Sequence, residues 1–144
     1  MFNLDDCFAL ITSRSGKVFA TRLEGRLASS GITRAQWIAM YYIYNSECIT
    51  QRCLADKMTI KEPTVVRMIQ KMEYDGFICR SGCHNDKRKK YLKLTEKGSK
   101  IYLELLPVVE KFKDDTIADI SDEDLKVFKS VIEKMVENTL REDN

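Results

Sequence analysis

Histidine, proline and long apolar runs are scarce in this chain. Its 144 residues include one histidine and two prolines. A histidine-rich zinc site is therefore excluded, and Ser-His-Asp or Cys-His catalysis would depend on His84 alone. No apolar run approaches the roughly 18 to 20 residues that a membrane-spanning helix needs. The first residues carry charges within their apolar pattern instead of a signal-peptide core, so we expect a cytoplasmic protein.

The five cysteines are an odd number, and without an export signal we expect reduced thiols rather than a disulfide framework. Cys79, Cys83 and His84 offer three metal donors, but neighbouring strand residues point to opposite faces, which suits tetrahedral zinc poorly. We therefore expect no metal and no cofactor. Cys48 and Cys53, on either side of a predicted helix start, are interpreted as small hydrophobic residues.

Charged residues are plentiful and unevenly placed. Residues 51–95 hold 11 basic and 5 acidic side chains, whereas residues 96–144 hold 8 basic and 13 acidic ones. A basic middle before an acidic end predicts that the middle of the chain faces a polyanion. The length is that of one domain, and 44% hydrophobic and 32% charged residues with six glycines indicate a folded, helix-rich chain.

Apolar residues spaced three or four positions apart predict six helices. Ile32-Thr33 followed by Gln36 has the pattern of a capping box with a hydrophobic staple. Thr50 and Ser121 carry similar capping signals for two further helix starts. The predicted helices cover residues 4–29, 34–46, a short stretch from 51, 62–74, a long stretch after 95, and the chain from 122.

Two prolines and two β-prone runs complete the pattern. Pro63 fits the first turn of the helix over 62–74, whereas Pro107 predicts a kink or break in the long helix after residue 95. The runs 77–80 and 91–94 predict an antiparallel hairpin. The polar stretch 81–90 between them predicts a long hairpin tip.

Two helices joined by a tight turn and followed by a hairpin form a winged helix-turn-helix. The predicted fold class is mainly α with a small β-hairpin wing and long N- and C-terminal dimerisation helices. Within a single domain over 1–144, residues 33–95 would form the DNA-binding lobe. The apolar stripes of residues 1–30 and 96–144 are too extended for so small a lobe to cover, so we expect them to dimerise.

The strings LADKMTIKEPTVVRMIQKMEYDGFI and DKRKKYLKLTEKG, between residues 54 and 98, resemble the MarR family of bacterial transcription regulators. The resemblance implies a homodimeric repressor, not an enzyme, that binds a palindromic operator and is released by a small-molecule effector. The matching residues are Leu54, Ala55, Thr64, Val65, Arg67, Glu73, Gly76, Phe77, Ile78, Asp86, Arg88, Leu94, Thr95, Lys97 and Gly98.

Two surfaces are candidates for binding double-stranded DNA. The helix over 62–74 would enter the major groove with side chains that donate to base edges and phosphates: Thr64, Arg67, Gln70 and Lys71. Arg67 is the candidate for reading guanine, unless Asp86 binds it. The wing would neutralise phosphates with Lys87, Arg88, Lys89 and Lys90. The resemblance implies that Asp86 steadies the wing and that Arg88 enters the minor groove.

An aromatic group near residue 40 has two interpretations. Trp37, Tyr41, Tyr42 and Tyr44 either pack in the core or line part of a small-molecule pocket. Because family members often respond to phenolic ligands, the resemblance implies a phenolic effector. Trp37 and Tyr41 are the candidate pocket residues.

Cys7 gives an alternative mode of regulation. The string Asp6-Cys7-Phe8-Ala9-Leu10 resembles the organic-hydroperoxide-sensing branch of the family, in which the cysteine is the peroxide-reactive thiolate. That branch places a tyrosine after the leucine, where it donates to the thiolate, and this chain has Ile11 instead. The alternatives are therefore a redox-sensing regulator and a structural Cys7. Less favoured classes are a thiol enzyme using Cys83 and His84 or Cys7, and a winged helix that binds protein or RNA.

Overall fold

The computed structural model describes residues 1–83 and 86–141, with the backbone alone for residues 83, 86 and 87. Within these residues, short 3₁₀ turns at Leu4–Asp6 and Ala28–Ser30 flank the first helix. The elements are α1 Phe8–Leu27, α2 Arg34–Tyr44, α3 Gln51–Met58, α4 Glu62–Tyr74, β1 Ile78–Cys83, β2 Asp86–Leu94, α5 Glu96–Thr116 and α6 Asp122–Leu140. The predicted fold class, mainly α with a hairpin wing, is confirmed. None of the described helices is long and apolar enough to cross a membrane.

Side-chain caps begin three of the helices where the sequence predicts them. At α2, the Thr33 hydroxyl accepts from the Gln36 backbone N–H at 3.1 Å, and the Gln36 side chain accepts from the Thr33 N–H at 3.0 Å. Thr50 and Ser121 accept in the same way at the starts of α3 and α6. Each such cap satisfies an amide that the helix leaves unpaired, which contributes about 1 kcal/mol.

The first helix begins later than predicted, at Phe8 instead of residue 4. Asn3 accepts a hydrogen bond from the Asp5 N–H at 3.1 Å and caps a separate 3₁₀ turn. Cys7 then has extended backbone angles, φ −84° and ψ 96°, which separate this turn from α1. The hydrogen bond of the Asn3 side chain to a nearby backbone amide thus favours a separate turn over the continuous helix that the apolar periodicity predicts.

Of the kink or break predicted near Pro107, the break is wrong, because α5 continues from Glu96 to Thr116. Proline in a helix removes one backbone hydrogen bond and costs about 3 kcal/mol. Tyr102 and Leu105, which precede the proline, are buried. Their packing offsets that cost, since tertiary packing supplies most of the stability of a helix in a protein.

The predicted long hairpin tip over 81–90 is also wrong, because both strands extend into it. The antiparallel register pairs Ile78 with Leu94 and Gly82 with Lys90. Backbone pairing continues through this polar stretch because a ribbon exposed on both faces needs no apolar alternation. His84 and Asn85 lie outside the described residues.

The chain divides into two compact units. One comprises Arg22–Val109, and the other comprises Met1–Thr21 with the chain from Glu110 on. The first unit contains a well-packed core whose largest fully buried side chains are Leu27, Met40, Ile49, Leu54, Val65, Ile69, Met72 and Leu92. In the second unit, no described residue of α6 is buried.

Hydrogen bonds join the two ends of the hairpin, where α4 leads into β1 and β2 leads into α5. The Thr95 hydroxyl donates to the Gly76 carbonyl at 2.6 Å and accepts from the Gly98 N–H at 3.0 Å. The Thr95 N–H donates to the Phe77 carbonyl at 3.0 Å. We call Gly76, Phe77, Thr95, Lys97 and Gly98 the hairpin junction.

Both glycines of the hairpin junction are required by its geometry. Gly76 has φ +81°, a left-handed conformation that glycine adopts without a steric penalty. A Cβ on Gly98 would overlap the carbonyl oxygen of Phe77. The start of α5 therefore lies against the backbone of the turn after α4 at a separation that a side chain would prevent.

Replacing Gly98 with alanine should destabilise the protein by at least about 2 kcal/mol, because the clash is with backbone and not with a movable side chain. Chemical denaturation followed by circular dichroism measures this change. The matched control is Gly25→Ala in α1, where a Cβ would meet nothing within 4 Å. We expect this control to raise stability by about 0.5 to 1 kcal/mol. Equal effects of the two substitutions would contradict the close approach at Gly98.

Candidate nucleic-acid interface

The helix-turn-helix is formed by α3 and α4. Leu54 of α3 and Val65 of α4 are fully buried, so the two helices pack through these faces. Thr59, in the turn, has φ 54°, which is left-handed, and its N–H donates to the Asp56 carbonyl at 3.2 Å. The next N–H, that of Ile60, donates to the Ala55 carbonyl at 3.1 Å. These bonds end α3 and hold the sharp turn that sets the direction of α4.

The face of α4 opposite its buried residues is open to solvent. Thr64, Arg67, Gln70 and Lys71, the predicted DNA-binding residues of this helix, are all exposed. Arg67 and Gln70 also line an open cleft of about 540 Å³ with Glu62, Pro63 and Val66. The structure thus brings the four predicted side chains to one exposed surface.

Arg67 and Lys71 differ in their contacts. In the described part of the chain, no hydrogen bond or ion pair holds Arg67. Lys71 forms an ion pair of 2.8 Å with Asp75, one turn further along α4. The Lys71 side chain is 64% exposed, and such exposed pairs contribute only about 0.3 to 0.5 kcal/mol, so the pair does not prevent Lys71 from binding elsewhere.

The wing carries exposed cations along β2. Arg88, Lys89 and Lys90 are exposed, and successive strand residues alternate between the two faces of the ribbon. The side chains of Asp86 and Lys87 lie outside the described residues. The predicted roles of Asp86, holding Arg67 or steadying the wing, therefore stay predictions.

The base of the wing is attached to the core by a backbone bridge. The Leu92 N–H donates to the Ile49 carbonyl at 2.8 Å, which adds the chain before α3 to the edge of β2. Leu92 is 1% exposed and Ile49 2%. The wing therefore begins from a buried, hydrogen-bonded position and not from a free loop.

Sequence reasoning missed a side-chain network at the base of the wing. The Arg80 Nε donates to Glu73 Oε1 at 2.9 Å, and its Nη2 donates to Gln51 Oε1 at 2.9 Å. These residues, the Arg80 network, belong to β1, α4 and α3. The opposite charges of Glu73 and Arg80 were a usable signal across the short turn, but nothing in the sequence indicates that Gln51 lies beside them.

Lys97 holds the carboxyl end of α4. Its Nζ donates to the Asp75 carbonyl at 2.7 Å and lies 4.7 Å from the centroid of the Phe77 ring. A cation at this position satisfies a terminal carbonyl, opposes the partial negative charge of the helix end, and adds a cation–π contact. The lysine of the string LTEKG therefore acts as a cap for the candidate DNA-binding helix.

The aromatic group contains a partner that sequence reasoning missed. Trp37 is 7% exposed, and its ring stacks on Tyr102 at 5.4 Å and on Tyr41 at 6.2 Å between centroids. Tyr44 also contacts Tyr102, at 4.7 Å. The buried Trp37 Nε1 has no hydrogen-bond partner among the described residues. Trp37 is thus part of the core, whereas Tyr41 is 44% exposed at its edge.

The cysteines are separate from these surfaces. Cys7 is free and half-buried, and its proposed redox role stays a prediction. Cys53 is free, as expected, and exposed, whereas Cys48 is exposed and disulfide-bonded, so the expectation of a reduced thiol is wrong for Cys48. Sequence spacing does not show which thiols a fold brings together. The side chain of Cys83 and all of His84 lie outside the described residues, so the metal and thiol-enzyme interpretations that use them are not tested.

A model of the MarR family matches residues 32–90, which include the helix-turn-helix and most of the wing. Over these residues the chain is similar to the MarR family. Members of this family are transcriptional regulators and not enzymes, which confirms the prediction of a regulator. The resemblance to the hydroperoxide-sensing branch receives no such support.

Solved structures confirm the fold over almost the whole chain. MepR of S. aureus, in complex with DNA, is 19% identical, with a TM-score of 0.86 over 95% of this chain and 99% of that one. CouR from Rhodococcus jostii RHA1, bound to p-coumaroyl-CoA, is 18% identical, with a TM-score of 0.84 over 94% and 95%. BpsR of Bordetella bronchiseptica, whose DNA binding is regulated by 6-hydroxynicotinic acid, is 16% identical, with a TM-score of 0.83 over 94% and 97%.

Proposed function

We propose that this MarR-like regulator is a homodimeric repressor that binds a palindromic operator and is released by a small-molecule effector. The observation that carries the proposal is the exposed face of α4, where Arg67, beside Thr64 and Gln70, has no partner among the described residues. Guanidinium and amide groups on one helix face can read base edges in a major groove. The similar fold of MepR, which is in complex with DNA, supports the proposal.

The wing supplies the second contact. Its exposed cations lie on a ribbon that suits phosphates and the negative potential of a narrow minor groove. The excess of 11 basic over 5 acidic side chains in residues 51–95 favours the same polyanion. Operator binding by this chain would therefore combine base reading by α4 with phosphate binding by the wing.

Arg67→Ala should weaken binding to the preferred duplex by about 1 to 3 kcal/mol and relax base preference at one position in each half-site. The probe is a duplex that the wild-type protein recovers from a random-sequence pool, here called the selected duplex, and fluorescence anisotropy gives its affinity. Lys89→Gln is the contrasting variant. It should weaken binding to all duplexes and reduce the salt slope by about 1. A similar loss on selected and shuffled duplexes with Arg67→Ala would contradict base reading.

Exposed apolar surface supports the homodimer. On α6, Val127, Phe128 and Val131 are 57%, 60% and 50% exposed. An apolar groove of about 460 Å³ lies between the start of α1 and the end of α6, lined in part by Ala9 and Met135. Exposed apolar surface of this extent marks an association site in a soluble protein. A second copy of the chain covers it in our proposal, since closed two-fold dimers are the commonest assemblies.

Val131→Lys should convert the dimer to monomers by placing a charge in an apolar interface, where an unpaired charge is strongly unfavourable. Analytical ultracentrifugation measures the state, and the affinity for the selected duplex should fall with it. The matched control is Lys129→Gln on the same helix, which alters an exposed ion pair of 3.8 Å with Glu133. Val131→Lys that sediments as the wild type does would overturn α6 as the interface.

The buried Trp37 Nε1 supports an effector site at the aromatic group. A buried donor without an acceptor costs about 1 to 3 kcal/mol, which a ligand oxygen would recover. The bound p-coumaroyl-CoA of CouR and the 6-hydroxynicotinic acid of BpsR are both aromatic. We therefore expect a small phenolic or hydroxylated aromatic acid as the effector.

Binding of 4-hydroxycinnamate should change the fluorescence of Trp37, the single tryptophan. Calorimetry should show about tenfold weaker binding by Trp37→Phe, because the ring stacking stays and the N–H donor is lost. Tyr44→Phe is the control, since it keeps the ring contact with Tyr102 and removes only an exposed hydroxyl. Equal affinity in wild type and Trp37→Phe would contradict the role of the indole N–H.

A further inference from the structure

Arg80 joins α3 to the two elements that the proposed function brings to DNA, α4 and the wing. Gln51 is the first residue of α3, Glu73 is the second-last residue of α4, and Arg80 is the third residue of β1. The Arg80 Nη2 also lies 2.8 Å from Glu73 Oε1, so the carboxylate receives both the ion pair and the Nε hydrogen bond. The contact with Gln51 spans 29 residues of sequence.

The chemistry of this contact requires an arginine. A guanidinium holds its donors in one rigid plane, so two of its nitrogens can bind acceptors on different elements at the same time. A lysine ammonium is a single point on a flexible chain and does not reproduce this fork. Arg80 and Glu73 are 27% and 31% exposed, so the pair is partly shielded from water and more directional than a surface ion pair.

The charge of Arg80 is satisfied within the protein by Glu73, whereas Arg67 has no partner among the described residues. Arg67 on α4 is exposed and unbound by the described residues, and Lys89 is exposed on β2. Arg80 instead gives its donors to Glu73 and Gln51. Its position in the basic middle of the sequence therefore does not make it a phosphate contact.

A small rotation at the base of the wing has a larger effect at the tip. Three residues of β1 follow the α-carbon of Arg80 up to Cys83. At about 3.3 Å per residue they extend about 10 Å, so a rotation of about 10° moves the strand end by about 2 Å. Since α4 is fixed by the base edges that it reads, such a shift misaligns its base contacts against the wing, while the long lysine and arginine side chains of the wing still reach phosphates.

We propose that Arg80 is a positioning residue for DNA binding, which sets the wing relative to α4 and α3 through Glu73 and Gln51 without contacting DNA. The inference rests on the proposed function and deepens it. DNA binding by both α4 and the wing depends on the distance between these two elements. The side chains of the Arg80 network link α3, α4 and the wing. Loss of the Arg80 network should therefore weaken DNA binding that uses α4 and the wing together more than binding that uses either element alone.

The test compares Arg80→Gln, Glu73→Gln, Gln51→Ala and the double variant Glu73→Gln with Arg80→Gln. Affinities for the selected duplex and for a shuffled duplex of equal composition are measured over a range of salt concentrations. We expect Arg80→Gln to weaken binding to the selected duplex about tenfold, with less than about a twofold change on the shuffled duplex and an unchanged salt slope. The double variant should be no weaker than Arg80→Gln, because both changes break one contact.

Lys89→Gln is the control for a direct phosphate contact, and thermal unfolding is recorded for every variant. Gln51→Ala removes only the bond to α3 and keeps the Glu73 ion pair, so it provides the test if Arg80→Gln fails to fold. Equal losses on both duplexes with a salt slope lower by about 1 would overturn the proposal, because they would make Arg80 a phosphate contact. Unchanged affinity with a lowered melting temperature would also overturn it, by showing a role in stability alone. A wild-type protein that recovers no duplex from the pool would instead overturn the proposed function, and this inference with it.

Discussion

The winged helix of this protein depends on the hairpin junction, where the chain enters and leaves the wing at nearly the same point. Thr95, on the exit side, binds the entry side twice, since its hydroxyl donates to the Gly76 carbonyl and its N–H to the Phe77 carbonyl. The absence of a side chain at Gly98 lets the first turn of α5 lie against the Phe77 carbonyl. Because the hairpin begins and ends here, any separation of these segments would displace the wing and release the end of α4 together.

Several contacts converge on the base of the candidate DNA-binding surface and hold its elements together. Lys97 fixes the carboxyl end of α4, Arg80 links that helix to β1, and the Ile49–Leu92 bridge attaches β2 to the chain before α3. The outer faces of α4 and β2 remain exposed. This division explains why polar side chains at the base are paired, whereas Arg67 has no partner among the described residues. A preorganised surface binds with less loss of conformational entropy.

The sequence predicts those parts of the fold that rest on local chemistry. The caps at Thr33, Thr50 and Ser121 and the bounds of α4 follow from hydrogen bonds and backbone preferences within a few residues. The course of α5 through Pro107 depends instead on tertiary packing, which local preference does not contain. The same limit applies to the site. The exposure of Arg67 follows from helical periodicity, whereas the Gln51–Arg80 bond and the stacking of Trp37 on Tyr102 join residues far apart in sequence.

The distribution of apolar and charged residues assigns DNA binding and association to different parts of the chain. The unit over 22–109 contains the buried core and carries the basic surface. Helix α6 has no buried residue, so its apolar side chains are available for the proposed interface. The residues after 95 carry more acidic than basic side chains, which affects both association and DNA binding. Negative charge repels the phosphate backbone and favours orientations in which the basic surface meets DNA first. Association through α6 and binding through α4 would then use different residues, apolar ones for the proposed dimer and basic ones for DNA.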